Sequence, residues 1–190
     1  MTWNLIGLSD APATPWRNGG GLTRELAAWP EGRDWTWRIS VAEVAADGPF
    51  SHFPGVQRFF AVLGGKGVRL TADGHPHEVT ATSAPLEFDG AATVDCQLLA
   101  GPTQDLNLMV QRGRASGAMT RLAGARSWVT AAEGVVAIYA LEAPAVVREP
   151  ASATSVDLPP QCMAWKQLPA GTPLEVATSG AICMEIVPRA

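Results

Sequence analysis

Residues 51–65 read SHFPGVQRFFAVLGG, and this stretch carries the signal that decides the fold. The pattern predicts a strand, a tight turn at Pro54-Gly55, and a second strand that ends at the corner formed by Gly64 and Gly65. Short apolar strands that meet at proline and glycine turns are typical of antiparallel β-structure. The stretch therefore predicts a β-hairpin.

The rest of the chain repeats this alternation of short apolar runs and turn signals. Such regular spacing predicts an all-β sandwich or barrel, and it leaves no room for the helices that parallel βαβ units need. Segments 114–126 and 148–160 are rich in small residues and are interpreted as a connector and a loop. The predicted strands are 35–44, 58–63, 67–72, 77–79, 93–100, 106–112, 127–132, 135–141, 145–148, 163–168, 174–177 and 181–187.

Composition limits the function classes. The 190 residues are 47% hydrophobic and 17% charged, with a net charge of −4, which argues against a nucleic-acid-binding surface. The N-terminal residues resemble neither a signal peptide nor a membrane span. Three widely spaced cysteines, Cys96, Cys162 and Cys183, favour a reducing, cytoplasmic location, and Cys96 and Cys183 are predicted to pack in the core. A shift in composition near residue 113 predicts a division into 1–113 and 114–190, with enough strands in the second part for a small barrel or a half-sandwich. The division allows strands to cross between the two parts.

The spacing within residues 51–65 matches the metal-binding frame of cupin barrels, which reads His-x-His, four residues, then Glu. Ser51 and Phe53 occupy the imidazole positions, and Arg58 occupies the carboxylate position. At about 4 Å and an effective dielectric near 20, a guanidinium repels each unit of cation charge by roughly 4 kcal/mol. We therefore expect no metal and a possible anion site at Arg58. Two alternatives remain open: an unrelated hairpin, and an Arg58 that points outward into solvent.

The segment PWRNGGGLTRE, residues 15–25, forms a second polar constellation. Three consecutive glycines, Gly19 to Gly21, allow positive φ angles and can direct backbone N–H groups at an anion. Asn18 and Thr23 add hydrogen-bonding side chains beside them. The alternative is a flexible glycine turn between two strands.

Two strands contribute a third set of polar residues. In WTWRISVAEV, Arg38 and Ser40 share one face, and in DLNLMVQR, Asp105 and Asn107 share one face. Asp105 and Asn107 either line a pocket or cap a strand end. The candidate ligand-binding residues are Asn18, Gly19, Gly20, Gly21, Thr23, Arg38, Ser40, Ser51, Arg58, Asp105 and Asn107.

Together these stretches resemble the HutD/Ves family of bacterial proteins. The matching pieces are PWRNGGGLTRE, WRISVAEVAADGPFSHFPGVQRFFAVLGGKG, PLEFDG and DLNLMVQRG, within residues 15–113. Arg17 stands where a lysine is common in the family, and Gln111 where an arginine is common. The resemblance implies a bicupin, with two cupin-like (RmlC-like jelly-roll) β-barrels in one chain and no metal or cofactor. It also implies a link to histidine utilisation, with no established catalytic activity.

These observations favour a small-molecule-binding regulatory protein. The resemblance implies that an acidic metabolite such as formylglutamate binds and that flux through histidine breakdown is limited. The alternative is a metal-independent cupin isomerase or epimerase acting on a small polar metabolite, for which Asp105 is the credible general base. The frame at Ser51, Phe53 and Arg58 argues against a metal-dependent dioxygenase. A homodimer and a purely structural or interaction role are further possibilities, with no nucleic-acid or membrane partner expected.

Overall fold

A computed structural model describes residues 2–189 and shows an all-β chain. These residues form nineteen strands and two short 3-10 helices, Leu8–Asp10 and Pro150–Ser152, and no α-helix. No helix among them has the length and apolar character needed to cross a membrane. The strands are β1 (Asn4–Gly7), β2 (Ala13–Pro15), β3 (Gly21–Trp29), β4 (Trp37–Val44), β5 (Gly48–Pro49), β6 (Val56–Gly64), β7 (Val68–Ala72), β8 (His75–Val79), β9 (Leu86–Asp89), β10 (Val94–Leu98), β11 (Thr103–Gln111), β12 (Ala115–Leu122), β13 (Arg126–Val129), β14 (Gly134–Ala140), β15 (Ala145–Glu149), β16 (Thr154–Leu158), β17 (Cys162–Leu168), β18 (Pro173–Thr178) and β19 (Ala181–Pro188).

The predicted all-β class is confirmed, and each of the twelve predicted strands overlaps an observed one. Three local interpretations are wrong. The predicted connector contains β12, and the predicted loop after residue 148 contains β16. Residues 51–53, the first arm of the predicted hairpin, lie outside any strand. They are held by isolated backbone bonds, such as the one from the Phe53 N–H to the Gly90 carbonyl.

Residues 11–115 form one compact unit, called the N-terminal unit below. Its first sheet has six strands in the order β2-β3-β4-β11-β6-β9, and its second has four in the order β5-β10-β7-β8. The apolar core draws on both sheets: Val44, Phe60, Val62 and Phe88 come from the first, and Val68, Leu70, Val79, Val94 and Cys96 from the second. The face of the six-stranded sheet that carries Phe60 and Val62 is called its inner face.

The second unit, called the C-terminal unit, combines the residues up to Asp10 with those from Ser116 onward. Strand β1 thus belongs to this unit, where it pairs with β17. The sheets have the orders β1-β17-β14-β19-β12 and β13-β18-β15-β16, and their core includes Ile138, Val147 and Cys183. The predicted burial of Cys96 and Cys183 is confirmed, and Cys162 is half-buried.

A buried polar contact fastens the N-terminal strand of the C-terminal unit. The Trp3 Nε1–H donates to Glu149 Oε1 at 2.6 Å, and Lys166 Nζ donates to both oxygens of the same carboxylate at 2.7 and 2.9 Å. Strand β1 also pairs with β17, where Leu5 lies opposite Ala164. Strand β1 is therefore held by backbone pairing and, through the neighbouring Trp3, by a hydrogen bond to the carboxylate of a buried ion pair.

Candidate functional site

A cavity of about 480 Å³ opens on the inner face of the six-stranded sheet in the N-terminal unit. Strands β4, β6 and β11 form its floor, and the β2–β3 turn and the segment 49–53 form its rim. Its lining contains three arginines and no aspartate or glutamate, although the chain carries a net charge of −4. The lining residues are Pro15, Trp16, Arg17, Asn18, Thr23, Arg38, Ser40, Ala42, Val44, Pro49, Phe50, Ser51, Phe53, Arg58, Phe60, Asn107 and Met109.

The floor of the cavity follows from strand register. In β11, Asn107 lies between Ser40 of β4 and Phe60 of β6. One row along, Met109 lies between Arg38 and Arg58. Because alternate residues of a strand share a face, residues two positions apart join the same floor. Polar side chains from three strands thus meet on the inner face of this sheet.

Arg58 is the central charged group of the cavity and is only 7% exposed. Its Nη2 donates to Asn107 Oδ1 at 2.9 Å, whereas its Nε has no hydrogen-bond partner. The guanidinium carbon lies 4.9, 5.2 and 5.7 Å from the ring centroids of Phe88, Phe50 and Phe53. These faces stabilise a cation and fix its position.

Burial lowers the pKa of Arg58 to about 10, with a smaller contribution from the nearby charge of Arg38. Arg58 therefore remains charged at neutral pH. No carboxylate among the described residues forms an ion pair with it. A charged, dehydrated donor without an anionic partner is costly to bury, and an anionic ligand would offset that cost.

The other two arginines of the lining differ from Arg58. Arg38 Nε contacts Glu25 Oε2 at 2.6 Å, so a carboxylate outside the lining balances its charge. Arg17 is exposed at the rim, as are Asn18 and Ser51. The cavity thus has one buried, unpaired cation at depth.

The glycine segment shapes the rim but does not face the cavity. None of Gly19, Gly20 and Gly21 belongs to the lining. The Gly19 N–H donates to the Trp16 carbonyl at 3.1 Å, and the Gly20 N–H donates to Asn18 Oδ1 at 3.1 Å. This corrects the expectation that these amides are open to a ligand, because the turn itself uses two of them.

Gly21 is required by close packing within this turn. A Cβ there would collide with the Glu43 carbonyl and approach the Trp16 ring to 3.2 Å. The same ring is held by its Nε1–H, which donates to Thr23 Oγ1 at 2.8 Å. The glycine segment therefore positions Trp16 as a cavity wall.

Asp105 lies on the inner face of β11 but below the cavity lining. Its neighbours in register are Ala42 and Val62, and its side chain is fully buried. The Thr103 hydroxyl donates to Asp105 Oδ2 at 2.9 Å, and Oδ1 has no partner. Burial raises the pKa of Asp105 to about 7, against a smaller lowering by the Thr103 hydrogen bond. The structure thus places it at depth, not at a strand-end cap.

Seven of the eleven candidate residues come together in the lining: Asn18, Thr23, Arg38, Ser40, Ser51, Arg58 and Asn107. Their role as ligand-binding residues stays a prediction. The three glycines and Asp105 are not part of the lining. Sequence reasoning did not select the aromatic wall formed by Trp16, Phe50, Phe53 and Phe60, although Phe53 stands in the metal frame and Trp16 in the glycine motif.

Residues suited to metal binding are dispersed in the described part of the chain. No group of three or more His, Cys, Asp or Glu side chains is arranged to hold a metal ion among residues 2–189. His75 and His77 are exposed on β8. A second cleft, of about 440 Å³ in the C-terminal unit, includes Glu149 and Lys166, but these two charges are paired with each other. The cavity at Arg58 is therefore the stronger candidate site.

The fold and this cavity define a cupin-like β-protein with an arginine where a cupin metal frame has its carboxylate. The family model described as HutD matches residues 8–184, and the chain belongs to the HutD family. The resemblance to HutD/Ves proteins is thereby confirmed. A 21.2 kDa uncharacterized protein in the hutC 3' region of Pseudomonas putida is 42% identical over 115 residues, covering 58% of this chain and 60% of that protein. Protein Ves of Citrobacter koseri is 39% identical over 105 residues, which cover 54% of this chain and 55% of that protein. The matched segments span little more than half the length of these curated relatives.

Solved structures support the same assignment. HutD from Pseudomonas fluorescens SBW25 has a TM-score of 0.87 and 26% identity, and the match covers 100% of both chains. A salicylate 1,2-dioxygenase mutant from Pseudoaminobacter salicylatoxidans has a TM-score of 0.65 at 11% identity, covering 97% of this chain and 82% of that one. The second likeness shows the fold alone, and the expected cupin-like all-β fold is confirmed.

Proposed function

We propose that this chain is a regulatory protein whose N-terminal cavity binds a small acidic metabolite such as formylglutamate, and that it thereby limits histidine utilisation. The observation that carries the proposal is Arg58, a buried cation that faces the cavity without a carboxylate partner. Two carboxylate oxygens are the natural acceptors for a guanidinium, because they match its paired N–H donors.

The surroundings of Arg58 favour an organic acid over a bare inorganic anion. Ser40 and Asn107 offer neutral hydrogen-bonding groups beside the guanidinium, and Trp16, Phe50 and Met109 offer apolar contact. The volume of about 480 Å³ falls within the usual range for metabolite sites, about 300–1,000 Å³. A ligand with one acidic end and a short carbon body fits this distribution.

The regulatory part of the proposal rests on relatives. The Pseudomonas putida relative is described by its place in the hutC 3' region, and the matching solved structure is described as HutD. A cytoplasmic location and a homodimer complete the proposal.

Titration calorimetry of the full chain with formylglutamate, glutamate and urocanate tests binding. Replacing Arg58 removes a hydrogen bond to a charged group, worth about 1.5–3 kcal/mol, so Arg58→Gln should weaken binding by about 10–150-fold. Arg58→Lys keeps the charge and should retain part of the affinity. Arg33→Gln is the matched control, because Arg33 is exposed in the same unit and lies outside the lining.

Two outcomes would overturn the proposal. One is the absence of binding by all three acids together with an unchanged melting temperature. The other is wild-type affinity in a folded Arg58→Gln variant. Circular dichroism melts of both arginine variants separate lost binding from lost folding.

The isomerase or epimerase alternative needs a general base within reach of the ligand. Asp105 has a pKa near 7, but it does not belong to the cavity lining. Its position therefore gives this alternative no support. Exchange of solvent deuterium into the same acids would reveal such an activity.

A further inference from the structure

Asp105 is a buried acid beneath a site that attracts anions, and its environment favours the uncharged form. It is fully buried, and its Oδ1 has no hydrogen-bond partner. A buried carboxylate without a cation beside it is strongly disfavoured in an apolar interior. A neutral carboxylic acid avoids the cost of burying the charge.

Asp105 lies one inner-face position along β11 from Asn107, the residue that contacts Arg58 at the proposed anion site. Asp105 and Asn107 are two residues apart on the same face of β11, which corresponds to about 6.6 Å between their Cα atoms. Asn107 in turn accepts from Arg58 Nη2. An anion bound at Arg58 would therefore lie close enough to respond to the charge state of Asp105.

We propose that the cavity binds its anion with Asp105 in the neutral, protonated form, so that ionisation of Asp105 weakens binding. The inference rests on the proposed function and adds a regulation to the same site. Binding and proton uptake are coupled, because a bound anion makes the loss of the Asp105 proton less favourable. Affinity for the acid then falls as pH rises through the pKa of Asp105.

The residues next to Asp105 on the neighbouring strands carry no titratable group, so we assign the pH dependence to Asp105. On the flanking strands β4 and β6 its neighbours Ala42 and Val62 are uncharged, while Arg38 and Arg58 lie further along the same inner face. From the opposite sheet, Cys96 on β10 senses the Asp105 charge.

The remaining titratable groups act more weakly or at higher pH. Burial foremost, with smaller contributions from Asp105 and Asp47, raises the pKa of Cys96 to about 12, so its thiol stays neutral. Asp47 is exposed and its Oδ1 accepts the Leu98 N–H. The raised pKa of Asp105, about 7, places the expected change in an accessible pH range.

Coulomb's law sets the expected size. At a separation of about 8 Å and an effective dielectric near 20, the repulsion corresponds to a roughly 30-fold change in Kd. Calorimetry of wild-type protein with N-formyl-L-glutamate should therefore show Kd rising about 30-fold between pH 6 and pH 9. Runs in buffers of different ionisation enthalpy should show proton uptake near pH 7–8.

Two variants assign the effect. Asp105→Asn keeps the shape without the charge, so its affinity should change less than twofold across this range. Thr103→Val removes a hydrogen bond that lowers the pKa of Asp105, so the midpoint should move to higher pH. This second variant keeps the inference testable if Asp105→Asn does not fold. His52→Asn is the control, because His52 is exposed beside the rim residue Ser51; it should keep the wild-type profile.

The possible failures are distinguishable. Binding of N-formyl-L-glutamate that is independent of pH in the wild type overturns the inference and leaves the proposed function standing. Loss of the pH profile in His52→Asn, with its retention in Asp105→Asn, overturns it as well. The absence of binding by the whole acid panel at every pH overturns the proposed function and the coupling with it.

Discussion

The stability of this protein should depend on pH through Asp105, and Asp105→Asn should remove that dependence. The pKa of Asp105 is about 7 in the folded protein, against 3.8 without the fold. Between these values the folded state holds a proton that the unfolded chain has released, so stability falls as pH rises. The loss begins near pH 4 and is complete above about pH 7. A shift of about three pKa units corresponds to a loss of roughly 4 kcal/mol.

Urea unfolding at intervals from pH 4 to pH 8.5 measures this effect without any ligand. As pH rises over this range, the free energy of unfolding of Asp105→Asn should increase relative to that of the wild type by about 4 kcal/mol in total. Asp95→Asn is the matched control, because Asp95 is exposed on β10 in the same unit. Parallel curves for Asp105→Asn and the wild type would refute the assignment of a neutral, buried Asp105.

Three further predictions concern packing and reactivity. Lys166→Met leaves the buried Glu149 carboxylate without its cation and should lower the free energy of unfolding by about 3–5 kcal/mol at pH 7, measured by urea denaturation. Replacing both partners, with Glu149→Gln added, should recover part of this loss. Gly21→Ala drives a Cβ into the Glu43 carbonyl, so it should lower the free energy of unfolding by about 1 kcal/mol or more and the melting temperature by several degrees. The control Gly19→Ala meets no atom within 4 Å and tests the effect of the φ of +71° alone. Cys96, whose pKa is raised to about 12, should resist iodoacetamide at pH 8 in the folded protein and react after unfolding, as mass spectrometry would show.

Much of the candidate site could be predicted from sequence because strand periodicity is a local property. Alternation alone placed Ser40 and Arg38 on one face of β4, and counting along the metal frame selected Arg58. Both arguments need only the two-residue repeat of a strand. They are independent of the three-dimensional arrangement of the sheets.

The rest depended on contacts that local patterns do not specify. The amides of Gly19 and Gly20 were expected to face a ligand, but Trp16 and Asn18 use them within the turn. Periodicity also placed Asp105 on the same face as Asn107 without giving its depth, which is set by neighbouring strands.

The same limit explains β12 and β16, two of the seven strands in the described residues that the sequence did not predict. In β12, small and polar residues separate the buried Ala115, Met119 and Leu122, so the apolar run that usually marks a strand is absent. In β16, only Leu158 is fully buried. Strand β12 takes its geometry from β19, which is distant in sequence. Strand β16 takes its geometry from β15, with which it forms a hairpin.

The position of β1 has a consequence for the order in which this chain acquires its structure during synthesis. Its backbone partners, Trp165 to Cys162, leave the ribosome more than 150 residues after it does. The segment 11–115 has by then emerged in full, and domains generally fold as units during synthesis. Residues 4–7 can thus pair only after more than 150 further residues have been made, and Trp3 can reach Glu149 only once that residue has emerged. A ribosome stalled just before residue 162 should accordingly carry a folded N-terminal unit with its cavity and an unpaired β1.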